Sequence, residues 1–303
     1  MSTSKPKGIY ILRTDAYEKI YGPPEREEID ALVDIVAPQQ TATSIAEDPS
    51  GLEEVELIFS GWGMARMDEA LLAAAPRLRA VFYGAGSIRG FMTDAAWDRG
   101  ILVTSAYAAN AIPTAEYALS QILFSLKRGW YHALEVQRTG RYPKRATVPG
   151  AYRSTVGLVS LGMIGSHVAR LLQSFDVNVV AYTSSEEKAH HLGAERCALE
   201  ALFERSDVVS LHTPWLPETE GMITGAHFAS MKQDATFINT ARGAVVREDE
   251  MIEVLSRRSD LYAVLDVTYP EPPEPGSPLY TLANVVLTPH IAGSMDRECE
   301  RMG

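Results

Sequence analysis

The stretch T-V-G-L-V-S-L-G-M-I-G-S-H-V-A-R-L-L, Thr155 to Leu172, decides the fold. Its apolar run from Val156 to Val159 reads as a buried parallel strand. A tight turn follows at Ser160-Leu161-Gly162. Met163, Ile164, Val168, Leu171 and Leu172 then recur at helical spacing, with Ala169 filling in. Strand, glycine turn and helix are the first half of a dinucleotide-binding unit. Gly162 would let backbone approach a pyrophosphate at the helix N-terminus, beside Met163 and Ile164, and Gly165 would let helix and strand pack closely. The match to G-x-G-x-x-G fails at its first glycine, replaced by Ser160. The acid expected about 20 residues on, to grip the adenosine ribose, is also absent: the next strand, Val177 to Tyr182, ends in Thr183-Ser184-Ser185. Alone, such a turn also suits a nucleotide-free α/β domain.

Outward from this unit, strands and helices alternate in both directions, which implies parallel sheets. Downstream, Val208 to His212, Thr236 to Thr240, Tyr262 to Asp266 and Val285 to Thr288 read as strands. With the two already named they make six, the number in a doubly wound nucleotide domain. Leu199 to Glu204, Ala226 to Met231 and Glu248 to Arg258 read as helices. Upstream, Gly8 to Leu12, Val55 to Phe59, Leu78 to Tyr83 and Ile101 to Thr104 read as four strands of a separate α/β domain. Glu27 to Val36, Met67 to Ala75 and Thr93 to Arg99 read as its helices. Ala111 to Lys127 is a longer helical pattern, and Gly140 to Tyr152 reads as a loop or arm.

A chain of 303 residues holds two such domains, each with its own core. The net charge of −11 argues against a nucleic-acid partner, whose phosphates call for a basic surface. The two cysteines, Cys197 and Cys299, are far apart and show no metal-ligand spacing, which fits a reducing compartment. The N-terminal residues reach a strand before any signal-peptide core, and no apolar run has the length of a membrane span. The expectation is a cytoplasmic protein without a metal, a membrane partner or a nucleic-acid partner.

Three strand ends carry titratable groups: Thr240-Ala241-Arg242-Gly243, Asp266-Val267-Thr268-Tyr269-Pro270-Glu271-Pro272, and Thr288-Pro289-His290-Ile291-Ala292-Gly293. Ligands of open α/β sheets bind beyond the carboxyl ends of strands, so these loops would meet in space. Here the chain resembles the D-isomer-specific 2-hydroxyacid dehydrogenases. N-T-A-R-G, D-V-x-x-x-E-P and T-P-H-I-A-G match that family's signatures in order, and S-L-H-T-P (Ser210 to Pro214) and V-G-L-V-S-L-G-M-I-G match two more. The likeness runs from Val55 to Gly293.

The resemblance implies two doubly wound parallel-sheet domains. Residues 1–108 would form a flavodoxin-like substrate domain, with 291–303 returning toward it, and 109–290 a Rossmann domain for NAD or NADP. It implies an oxidoreductase moving a hydride between the cofactor and a 2-oxo or D-2-hydroxy acid. Arg242 would bind the substrate's carboxylate and carbonyl oxygen, because a planar guanidinium matches that fork. His290 would exchange a proton with the carbonyl oxygen, a task suited to imidazole. Glu271 would hydrogen-bond the other ring nitrogen. Asp266 would accept from the nicotinamide carboxamide. Gly162, Met163, Ile164, Thr183, Ser184, His212, Thr213, Pro214, Thr240, Ala241, His290 and Gly293 would complete the cofactor site.

In the first domain the family's glycine-rich loop falls at Gly84, Ala85, Gly86 and Ser87 and would offer amides to the substrate carboxylate. Arg89 and Gly90 replace its usual acidic and amide residues. Trp62 and Tyr83 are bulky where substrate is expected, or else plain core. The missing acid at Thr183 lifts the charge repulsion against NADP, and Thr183, Ser184, Ser185 and Lys188 could hydrogen-bond a 2′-phosphate, although no arginine stands in that segment. NADPH is expected to serve at least as well as NADH. The family also implies a homodimer through residues 114–150, and a closing helix that here would be cut short after Met295 to Met302. Two readings compete with the dehydrogenase: a non-catalytic NAD(H)-sensing scaffold like the family's corepressors, and an enzyme taking hydride from a non-carbon donor such as phosphite.

Overall fold

A computed structural model describes residues 5–145 and 147–303. The chain divides into two compact units, one of Met1–Asn110 with Ser294–Gly303, the other of Ala111–Gly293.

The first unit is a five-stranded parallel sheet of β1 (Lys7–Ile11), β2 (Asp34–Ile35), β3 (Leu57–Ser60), β4 (Ala80–Tyr83) and β5 (Leu102–Ser105), in the order β2-β1-β3-β4-β5. This is the flavodoxin-like doubly wound order. Five strands replace the four read from sequence. The stripe Glu27 to Val36 is not one helix: a helix runs over Pro23–Leu32 and none of its residues is buried. Two prolines open it, at positions that tolerate them. Val33 then turns extended and Asp34 and Ile35 pair with Lys7 and Gly8, so the apolar spacing belonged to a helix end and a strand edge. The last residues, Asp296–Met302, form a 3₁₀ helix against the helix Thr14–Ile20, with Cys299 and Met302 buried in a cluster with Tyr10, Tyr21 and Phe59.

The second unit is a seven-stranded parallel sheet: β6 (Tyr152–Val159), β7 (Asp176–Tyr182), β8 (Ala194–Arg196), β9 (Val208–Leu211), β10 (Thr236–Asn239), β11 (Tyr262–Leu265) and β12 (Val285–Leu287). The order β12-β11-β10-β9-β6-β7-β8 is the doubly wound nucleotide-binding arrangement with one strand added at an edge. The sheet thus has seven strands rather than six. The unforeseen one, β8, is Ala-Glu-Arg, too short and polar to stand out. β9, β10 and β11 are buried throughout, which explains their unbroken apolar runs.

The chain reverses its direction of winding between β6 and β9, the place where such sheets open a ligand crevice. There β6 passes through Ser160-Leu161-Gly162 into the helix Met163–Leu172. A Cβ on Gly165 would lie 2.1 Å from the Ser160 carbonyl oxygen, so only glycine lets this helix seat on the strand. Ser160, in place of the expected glycine, adopts a left-handed φ of 79°. Its amide donates to Tyr182 O at 2.8 Å, which helps to hold that conformation.

Candidate active site

The site in the second unit is built on the loops that follow β10, β11 and β12. His290 Nδ1 lies 2.6 Å from Glu271 Oε1. Both side chains are more than two-fifths exposed, so the pair is reachable from solvent. His290 is itself left-handed at φ 55°, held by its amide donating to Asp266 O and Thr288 O, each at 3.0 Å. Arg242 is half-buried, and its Nη1 donates to Ala241 O at 2.5 Å. Burial pulls the guanidinium's pKa down from its ordinary value, and the Glu271 charge pushes it back up. Arg242, Glu271 and His290 therefore share one electrostatic neighbourhood.

The local sequence explains why. Asn239 clamps the β10 loop: its Oδ1 accepts from Ala241 N at 2.9 Å and its Nδ2 donates to Arg242 O at 3.1 Å. A Cβ on Gly243 would stand 2.0 Å from the Thr268 carbonyl carbon, so the Arg242 loop reaches the loop after β11 only through glycine. Glu248 Oε2 accepts from Tyr269 N at 3.1 Å and so ties down the segment that carries Glu271. Burial raises the Glu248 pKa.

Asp266 is 2% exposed, and its carboxylate is engaged by its own chain. Oδ1 accepts from the Thr288 hydroxyl at 2.6 Å and Ile291 N at 2.9 Å, and Oδ2 from Ala292 N at 2.9 Å. Three donors thus use most of a carboxylate's acceptor sites, and Asp266 fixes the His290 loop whatever it does for a carboxamide. Thr288 spends its one proton on Asp266, so Tyr117, 3.0 Å away, is the donor to Thr288. Tyr117 and Glu248 gave no signal in the sequence, since each sits in an ordinary helical pattern.

The residues expected to hold a cofactor lie in the loops that follow β6, β7, β9, β10 and β12. A Cβ on Gly162 would meet nothing nearer than Ser160 Oγ at 3.8 Å, so the turn offers open space at the helix N-terminus. Met163 is 40% exposed there, and Ile164 packs on the unit's core. Thr213 Oγ1 donates to Val159 O at 3.3 Å, and Pro214 is exposed. Among the described residues, both ring nitrogens of His212 and the hydroxyl of Thr240 are buried without a hydrogen-bond partner, at the carboxyl ends of the adjacent strands β9 and β10. Ala241 is buried, and Gly293 is half-buried at the end of the His290 loop. Open backbone at a helix N-terminus and unpaired buried donors beside it suit a dinucleotide's phosphates and hydroxyls. One expectation needs correction. An arginine does stand at Thr183, supplied by β8: Arg196 Nε donates to Thr183 O at 2.8 Å.

The burial of His212 should make the fold pH-sensitive. Burial pushes its pKa down from 6.5 to about 4. The folded state therefore holds the ring neutral where the unfolded chain would protonate it. Stability present above pH 6.5 should be lost as pH falls towards about 4, by roughly 3 kcal/mol. Urea titrations of cofactor-free protein across this window should show a smaller loss in His212→Asn than in wild type; equal losses would assign the effect elsewhere.

In the first unit, Tyr83 is 8% exposed and its ring lies 4.8 Å from that of Phe91, so it packs into the core. Trp62 is half-buried against the same core. Gly84 and Ala85 are buried and Gly86 half-buried. The Gly84 amide donates to Ser60 O at 2.7 Å, which leaves the amide role expected of this loop to its later residues.

Residues 120–292 match the model of the D-isomer specific 2-hydroxyacid dehydrogenase NAD-binding domain. The chain belongs to that family. It is 35% identical to a glyoxylate reductase of Korarchaeum cryptofilum, over 78% of this chain and 73% of that one. It is 33% identical to a D-3-phosphoglycerate dehydrogenase of Archaeoglobus fulgidus, over 76% of this chain and 44% of that one. The chain spans about half the length of several curated relatives it matches. Among solved structures, D-lactate dehydrogenase from Aquifex aeolicus, complexed with NAD and lactic acid, superposes with a TM-score of 0.75 at 26% identity, covering 97% of this chain and 91% of that one.

Proposed function

We propose that this chain is a nicotinamide-dependent oxidoreductase that interconverts a 2-oxo acid and a D-2-hydroxy acid. The observation that carries the reading is the 2.6 Å contact of His290 with Glu271 beside Arg242, in loops at the carboxyl ends of the same parallel sheet whose β6 leads into the Gly162 turn. A bound nicotinamide supplies or accepts the hydride. Arg242 holds the substrate carboxylate and polarises the carbonyl oxygen through its fixed charge. Glu271 occupies Nδ1 of His290, so Nε2 is the atom that holds the proton exchanged with that oxygen. Asp266, through the Ile291 and Ala292 amides, keeps the imidazole loop in register. NADPH is used at least as well as NADH, a reading supported by the lack of an acid at Thr183-Ser184. On the family's pattern the enzyme works as a cytoplasmic homodimer joined through residues 114–150.

A reductase assay on glyoxylate, hydroxypyruvate and bulkier 2-oxo acids, with each reduced cofactor, tests the reading. Turnover of at least one acid supports it. Tight cofactor binding with no turnover of any would replace it with the scaffold.

A further inference from the structure

We propose that Arg196 reads the 2′-phosphate of NADPH, reaching the adenosine subsite from β8 rather than from the loop after β7. The inference rests on the cofactor reading above and deepens it. In a doubly wound nucleotide domain the adenosine ribose falls at the carboxyl end of the second strand, where a carboxylate selects NAD and an arginine accommodates the phosphate. That strand is β7, and its end is Tyr182-Thr183-Ser184.

The edge strand supplies what the loop lacks. Ala181 pairs with Arg196 in the register of β7 with β8, and Cys197 N donates to Ala181 O at 3.0 Å, so Arg196 stands at the last rung. Its Nε–H donates to Thr183 O at 2.8 Å, which fixes the plane of the guanidinium beside the strand end. A guanidinium has five donors, and this bond uses one. Nη1 lies 3.8 Å from the Glu186 carboxylate, but that side chain is 82% exposed and the pair is screened by solvent. The outer edge of the guanidinium so retains donors in the fork that suits a phosphate. Ser184 and Lys188 are exposed on the same segment and add a hydroxyl and a charge. Glu195, the acid next to Arg196 in the strand, is bound to Arg205 at 2.7 Å.

Calorimetric titration of the full chain with adenosine 2′,5′-bisphosphate and with ADP tests this apart from catalysis. Wild type should bind the bisphosphate at least about tenfold more tightly than ADP. Arg196→Gln should erase that preference and weaken NADPH by a similar factor, while ADP and NADH change less than about twofold. Glu186→Gln, which removes a like charge near that phosphate, should modestly tighten the bisphosphate and NADPH and leave ADP and NADH unchanged. The proposal is overturned if wild type shows no preference, or if Arg196→Gln weakens ADP and the bisphosphate equally. Failure to bind any of the four nucleotides would remove the cofactor reading itself, and the inference with it.

Discussion

Replacing His290 by alanine should lower kcat by roughly 10²–10⁴-fold, the usual contribution of a placed general acid. The dissociation constant for reduced cofactor, followed by its fluorescence, should change little. The reason is geometric: Glu271 holds Nδ1, and only the imidazole connects that carboxylate to a proton acceptor at the other nitrogen. His290 has a left-handed backbone, where alanine is strained. His290→Asn removes the imidazole while tolerating that conformation, so the two variants should lose kcat alike. If His290→Asn retained kcat while alanine lost it, the role would be conformational rather than acid–base. Glu271→Gln should keep the ring in place but lose the charge, and its kcat should fall less than that of His290→Ala.

Arg242→Gln should lower kcat/KM by roughly 10²–10⁴-fold, because two charge-assisted bonds are lost at about 1.5–3 kcal/mol each. Most of the loss should appear in KM for the 2-oxo acid, and cofactor affinity should hold. Arg242→Lys should recover little, since an ammonium keeps the charge but not the fork. The Asn239 clamp and the Gly243 contact engage the loop's backbone and not the Arg242 side chain, so the glutamine variant should keep its melting temperature. A loss shared equally between both ligands, or a full rescue by lysine, would refute the bidentate role.

Much of this arrangement was legible in the sequence because its causes are local. Val156 to Val159, the glycine turn and the stripe from Met163 to Leu172 specify strand, turn and helix without reference to the rest. The charged loops Thr240 to Gly243 and Thr288 to Gly293 were visible because they directly follow apolar runs. What escaped depends on partners remote in sequence. The edge strand β2 is two residues long and merges with a helical stripe. The edge strand β8 has an Ala-Glu-Arg sequence that only its pairing with β7 reveals, and with it Arg196. Tyr117 joins Thr288 across 171 positions, and its polarity on a helix face carries no mark of that. Asp266 stood out in the sequence as a candidate site residue, but not that its carboxylate already serves the Ile291 and Ala292 amides.

On the proposed reading Arg242, Glu271 and His290 form one reducing site for 2-oxo acids. The most direct measurement is the loss of reduced-cofactor absorbance on adding the 2-oxoacid panel to wild type, to His290→Ala and to Arg242→Gln. Wild type should turn over at least one acid, and at acid concentrations well below the wild-type KM both variants should lose nearly all of that rate. A wild-type rate at those low acid concentrations in either variant would rule out the shared site.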